Sequence, residues 1–375
     1  MTQPPFPQAR PEVESLQAYS APLEGRRGLL RLDFNENTVG PTPRVVEAIR
    51  ALPADHYATY PEYDGLREAV VANLQASGTG LARPLQPAQI GLFNGVDAAL
   101  HALFHAYGDR GDRLLTTSPT FGYYAPCARM QGMTIEAIPY EGASFRFPLE
   151  ALEAALLGPA GDASPTDGWQ PPRILLLCNP NNPTGTRLAP EPILALAARA
   201  PSTLVVVDEL YEAFTGDSVL PQADFAATPN LLVLRSLAKT AGLAGLRIGF
   251  AIGAAEVVDR LDRVTGPYDI NSFAVTAAFA ALADQAYVDA YVAEVQRARA
   301  WIGERLAEVG ERHHLEGGNY LLLWPREGAE VAERRLRQAG ILVRSMAGKP
   351  LIDGSVRVSI GTLEQMQRFW EAYTA

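Results

Sequence analysis

Apolar positions through the middle of the chain fall in short unbroken runs. Residues 173–178 read RILLLC and residues 202–210 read STLVVVDEL. Both runs are strand-length, rich in leucine or valine, and free of alternation, as expected of parallel strands covered on both faces. Between them, APEPILALAARA at 189–200 has helical spacing. The stretch predicts strand–helix–strand, the repeating unit of a doubly wound α/β sheet. DRLLTTSP at 112–119 and NLLVLRSL at 230–237 predict two further strands. The turn-rich segment 158–172 is expected as a surface loop, because strand signals resume directly after it.

Towards the C-terminus the pattern changes. Residues 286–310 predict one long amphipathic helix. Strand 319–324, helix 328–340, strands 341–346 and 355–361, and a last helix follow. Elements in this order, without strict alternation, predict a smaller α+β unit. At 375 residues the chain is long enough for two domains, or for one large domain with a smaller partner.

Composition narrows the function classes. The 47% hydrophobic and 20% charged content is that of a soluble globular protein. A net charge of −10 argues against nucleic acid as a partner. An anionic ligand would have to be met by locally placed arginines. Two cysteines, Cys127 and Cys178, make neither a disulfide framework nor a metal site. The proline-rich start, MTQPPFPQARPEVES, reads as a loose or strapped arm rather than a signal peptide. No apolar run approaches the roughly 18 residues of a membrane helix, so a cytoplasmic location is expected.

Candidate chemistry collects where the strands end, the place where open α/β sheets bind ligands. After 173–178 comes NPNNPTG, whose Asn182 offers a side-chain amide. After 202–207 come Asp208 and Tyr211. After 230–234 come Ser236 and Lys239, the latter within SLAKTAGLAGLRIGF, where the next charge is Arg247. GLFNGVDAAL at 91–100 is a glycine turn running into a helix, whose free N–H groups form an anion site. Each feature alone has a plainer use. NPNNPTG can be only a turn, Asp208 a helix cap, Asn-Gly an ordinary turn and Ser236 a loop hydroxyl. Together they describe one ligand: a phosphate at a helix start, a ring nitrogen facing a carboxylate, a ring hydroxyl facing Asn and Tyr, and an aldehyde facing an amine. Pyridoxal 5′-phosphate has all four features.

At this point the chain resembles a known family. NGxD, PTF, NPNNPTG, DELY, SLAKTAGLAGLRIGF and VRVSIGT, in that order, are similar to the fold-type I aminotransferases. Within them the resemblance is closest to the histidinol-phosphate aminotransferase family of the class II subgroup. It runs from LDFNENTVGPTP at 32–43 to SVRVSIGTLEQ at 355–365. It implies a large domain with a mixed, mostly parallel sheet flanked by helices, and a smaller α+β domain. The implied division is residues 1–42 as arm and part of the small domain, 43–270 as the large cofactor-binding domain and 271–375 as the small domain.

The resemblance also implies roles. Lys239 carries the cofactor covalently, Asp208 pairs with its ring nitrogen, and Asn182 and Tyr211 hydrogen-bond its ring hydroxyl. Phe121 stacks on the ring. Gly95, Val96, Asp97, Ser236 and Arg247 form the phosphate cup, and Tyr60 reaches it across a homodimer interface. Arg357 holds a substrate carboxylate, while Arg344 and Tyr19 line a second anion site. The segment NEN at 35–37 lines the substrate pocket with no chemical role assigned. Ala238 stands where relatives often carry a hydroxyl residue, which removes one phosphate contact.

The implied reaction moves an amino group from histidinol phosphate to 2-oxoglutarate. Two readings within the fold stay open: an aromatic amino-acid aminotransferase, and a lyase resembling phosphothreonine decarboxylase. A third, a non-catalytic regulator, ordinarily adds a DNA-binding domain, and no segment here is left over for one.

Overall fold

The computed structural model describes residues 7–18, 24–76, 81–158 and 169–375. Seven strands form the main sheet: β1 (Ile90–Phe93), β2 (Arg113–Ser118), β3 (Thr134–Pro139), β4 (Ile174–Cys178), β5 (Leu204–Asp208), β6 (Leu231–Ser236) and β7 (Gly249–Gly253). Their order across the sheet is β1-β7-β6-β5-β4-β2-β3. Only β7 runs antiparallel to its neighbours. The four expected strands are all present, and every residue of β4 and β5 is buried. Helices cover both faces, so these strands can be apolar on both sides.

A second, four-stranded antiparallel sheet has the order Arg344–Ser345, Val356–Ser359, Tyr320–Leu323, His313–His314. The long helix Gln285–Glu308 and the last helix Leu363–Thr374 share its buried cluster, through Val295, Ile302, Met366 and Phe369. Leu30 and Leu32 join the same cluster, because Leu30–Arg31 pairs in parallel with Ile341–Leu342. This divides the strand expected over 341–346. Its first half bonds the N-terminal segment and its second half the C-terminal sheet. Helix Ser272–Leu282 lies on the C-terminal side of the expected division at 270, yet it buries Ala274, Val275, Ala278 and Ala281 in the larger cluster.

At the N-terminus, Arg10 donates to the Met130 carbonyl at 2.6 Å and Glu12 pairs with Arg110, strapping the arm to helix Tyr124–Met130 and to the turn before β2. Part of the expected loop at 158–172 lies outside the described residues. Among the described residues no helix is long and apolar enough to cross a membrane.

The topology brings the carboxyl ends of β1, β2, β4, β5 and β6 to one edge of the sheet. The loop after β6 is then pressed against residues 37–41. The Asn37 side-chain amide donates to the Thr240 carbonyl at 2.8 Å, and its oxygen accepts from the backbone of Val39 and Gly40. Gly242 has φ +75, and a Cβ there would stand 2.5 Å from the Gly40 carbonyl carbon. The small residues of this loop therefore answer a backbone-to-backbone approach. Gly245, three residues on, has nothing within 4 Å of a built Cβ. Gly242→Ala is expected to cost about 2–5 kcal/mol, the sum of left-handed strain and overpacking. Gly245→Ala should stay within about 1 kcal/mol. Urea unfolding of the two variants checks this, and equal midpoints would contradict it.

Candidate active site

One cavity at the strand ends is lined by Val96, Asp97, Phe121, Asn182, Asp208, Tyr211, Ser236, Lys239 and Arg247, together with Cys178, Leu210 and Ala238. Residues expected from five separate stretches of sequence thus meet around one space. A second, outer cavity adjoins it, lined among others by Phe34, Asn35, Arg344, Lys349 and Arg357. Lys239 and Tyr211 line both.

Asp208 ends β5 and is 2% exposed. Its Oδ2 accepts the Tyr124 hydroxyl at 2.5 Å and its Oδ1 the Leu210 N–H at 3.3 Å. It makes no ion pair among the described residues. Burial pushes its pKa up to about 6, against the opposing pull of the Tyr124 hydrogen bond and the more distant Lys239 charge. Such a carboxylate is costly until a cation faces it.

Lys239 is the converse case. Burial, reinforced by the Arg357 charge, brings its amine down to about 8. Its Nζ donates to the Phe34 carbonyl at 3.0 Å. Of the 32 lysines and arginines, only Lys239 and Lys349 are lysine. The chain thus carries at this position an amine, which can give up its proton where arginine cannot.

Tyr211 is buried with its hydroxyl oxygen accepting from the amides of Asn35 (3.1 Å) and Asn182 (3.3 Å). That leaves its own O–H hydrogen for an acceptor in the cavity. Arg357, 9% exposed, donates to Asn182 Oδ1 at 2.6 Å and to the Asp33 carbonyl at 2.7 Å.

The anion cup forms where helix Gly95–Tyr107 begins. Gly95 has φ +78, and a Cβ there would lie 2.7 Å from the Arg247 guanidinium. Arg247 is thereby held over the free N–H groups of the first turn. Arg247 is itself paired with Asp97 at 2.6 Å, so that cation is partly neutralised. The Ser236 hydroxyl donates to the Ile248 carbonyl at 3.0 Å and accepts the Ala238 N–H.

Tyr60 stands apart from these residues within one chain. It is 69% exposed and stacks on Tyr268 at 3.9 Å. Tyr19 lies outside the described residues.

Sequence reading passed over several participants. Tyr124 is one. Phe34 is another, and Asn35, expected in the pocket lining without a role, gains one: within residues 33–35, consecutive groups touch Arg357, Lys239 and Tyr211. Asn35 also exchanges hydrogen bonds with Ser359. Behind this segment Arg26 forks onto both Asp33 and Glu36 and lies 4.3 Å from the Phe34 ring centroid. The one available signal was the density of polar residues in DFNEN, directly after the apolar Leu32.

The chain matches the model of the family "Aminotransferase class I and II" over residues 27–372. It is 35% identical to a histidinol-phosphate aminotransferase of Symbiobacterium thermophilum, covering 94% of this chain and 91% of that one. It is 32% identical to histidinol-phosphate aminotransferase 1 of Bradyrhizobium diazoefficiens, over 96% and 97% of the two chains. Among solved structures it resembles the histidinol-phosphate aminotransferase of Sinorhizobium meliloti in complex with pyridoxal-5′-phosphate. There the TM-score is 0.83 and the identity 26%, over 99% of this chain and 98% of that one. A partly buried amine and a buried carboxylate lining one cavity at the strand ends of this fold, with a family match over nearly the whole chain, place the protein among the class I and II aminotransferases.

Proposed function

We propose that this chain transfers the amino group of histidinol phosphate to 2-oxoglutarate, using pyridoxal 5′-phosphate bound in the inner cavity. The observation that carries the reading is that a partly buried amine, lowered to about 8, and a buried carboxylate, raised to about 6, line one cavity. The residues present fit the cofactor. Asp208 lacks a cation, which a protonated ring nitrogen supplies. The helix start at Gly95 with Arg247 suits a phosphate, and Tyr211 has a hydrogen to give to a ring oxygen. When bound, the cofactor contributes an electron-withdrawing ring that stabilises negative charge on the donor's α-carbon.

The chain's own groups do the rest. Lys239 Nζ would take the proton from that carbon and hand it to the cofactor's aldehyde carbon, a task suited to an amine partly neutral near pH 7. Its neighbours Ala238 and Ala241 are buried and keep water from its charge. Asp208 keeps its proton partner charged. Arg357 presents a fork to the carboxylate of the oxo acid.

The outer cavity favours histidinol phosphate over an uncharged donor side chain. Lys239, Arg344, Lys349 and Arg357 line it, and among the described residues no acidic side chain does. A tight Arg357 site also disfavours a decarboxylase, whose substrate carboxylate must be free to leave. Tyr57, Tyr60 and Tyr268, at 75%, 69% and 54% exposure, form an aromatic surface. We read it as part of a homodimer interface through which Tyr60 reaches the partner's phosphate cup. A cytoplasmic enzyme is the setting this reading implies.

Wild-type protein supplied with histidinol phosphate and 2-oxoglutarate should form glutamate, and Lys239→Ala should lose about 10²–10⁴-fold or more. Turnover of phenylalanine or tyrosine in preference would favour the aromatic reading, and carbon dioxide release the lyase. Arg344→Ala should raise KM for histidinol phosphate about 10–100-fold, the worth of one charge-assisted contact, with little change for phenylalanine. Covalent attachment of added cofactor to Lys239, trapped by borohydride, should quicken as pH rises through about 8, since only the neutral amine attacks an aldehyde. A rate flat from pH 6 to 9 (roughly two units about the amine's pKa) contradicts that role. Tyr60→Phe and Lys239→Ala subunits, mixed, should recover part of the activity that each lacks alone; no recovery would argue for unshared sites.

A further inference from the structure

We propose that Tyr124 is a positioning residue. Its hydroxyl holds the Asp208 carboxylate in one orientation and weakens it as a base, so that a proton shared with the cofactor rests on the ring nitrogen. This rests on the cofactor reading above.

The geometry is local and closed. Tyr124 opens the helix that follows β2, is 1% exposed, and packs edge-on against Phe121 with ring centroids 5.4 Å apart. The ring is held by packing, and its hydroxyl reaches Asp208 Oδ2 at 2.5 Å. Burial and the neighbouring carboxylate push the Tyr124 hydroxyl well above its ordinary pKa, so it stays a donor. The other groups facing Asp208 are the Cys178 thiol from β4, the Leu210 N–H, the Tyr211 hydroxyl, and the charges of Asp97 and Lys239. Burial keeps that thiol protonated. Tyr124 is therefore the side-chain donor on this carboxylate.

A hydrogen bond from a hydroxyl withdraws charge from the oxygen that accepts it. Without it, Asp208 becomes a stronger base and takes the shared proton. The ring then withdraws electrons less, and the nitrogen joining it to Lys239 becomes more basic. The pH at which the visible band of the bound cofactor titrates reports that basicity.

The test is a pH titration of this band in the full-length protein loaded with pyridoxal 5′-phosphate. Tyr124→Phe should move the midpoint upward by roughly half to one unit, part of the one to two units that loss of a hydrogen bond to a charge places on the carboxylate itself. Tyr124→3-fluorotyrosine, a stronger donor, should move it downward, and it remains informative if the Phe variant does not fold. In an Asp208→Asn background, Tyr124→Phe should leave the midpoint where it was. A midpoint unmoved by both single substitutions overturns the proposal, as does an equal shift in the Asp208→Asn background. A wild-type protein that shows no visible band and no borohydride-trapped adduct at Lys239 overturns the cofactor reading, and this inference with it.

Discussion

A carboxylate placed at the end of an apolar strand loses most of its hydration, at a cost of several kcal/mol unless a counter-charge is brought to it. Asp208 is in that position. β5 is buried along its whole length because helices cover both faces of the sheet, and its last residue turns into the cavity with the strand's burial still upon it. Two hydrogen bonds offset part of the cost, and a cationic ligand is what remains to offset the rest. Lys239 bears the complementary penalty in the same cavity: an amine that burial makes reluctant to hold its proton. One low-dielectric space moves an acid up and a base down, bringing both within reach of neutral pH. The fold builds that space by aligning strand ends, and the chemistry depends on it.

The segment at 33–37 ties this site to the smaller sheet. Three successive residues present a carbonyl to Arg357, a carbonyl to Lys239 and an amide to Tyr211. The segment is held from one side by Ser359 of the small sheet and from the other by Arg26, whose guanidinium is shared between Asp33 and Glu36. Buried ion clusters contribute little net stability but fix geometry. Here the geometry fixed is that of a turn that meets Arg357 and Lys239 with backbone carbonyls and Tyr211 with the Asn35 side-chain amide. A displacement of the small sheet would be felt at Lys239 through these few hydrogen bonds.

Much of this was legible in the linear chain, and the divide is physical. β2, β4, β5 and β6 announce themselves because a strand buried on both faces must be apolar throughout. Asp208, Ser236 and Asn182 could be placed at strand ends for the same reason. β7 was not read as a strand: GFAIG is short, glycine-bounded and adjacent to the lysine loop, and only pairing with β1 and β6 makes it one. The run 341–346 looked continuous, yet it serves two sheets, a fact carried by residue 30 rather than by the run. Tyr124 was invisible because YY after Phe121 marks only an aromatic helix start. Its partner lies 84 residues away, and no local pattern encodes that distance. Arg26 and Phe34 were missed likewise: one acts through a buried ion cluster, the other through a backbone carbonyl that any residue would supply.

The distribution of positive charge gives the last step. This chain meets nearly every need for a cation with arginine, whose guanidinium binds anions and never gives up its proton. The exceptions are Lys239 and Lys349, and both line the outer cavity. At Lys239 the reason is chemical, since only an amine can both bond an aldehyde and trade a proton near neutrality. At Lys349 the side chain is exposed and keeps its water. What distinguishes it from arginine there is a compact charge on a flexible stem, able to follow an anion without imposing a fork. Arg344 and Arg357 sit on adjacent strands in direct register, a rigid pair with fixed directions. Under the proposed reaction, a flexible point charge lining the same cavity adds to that pair without imposing a second fork.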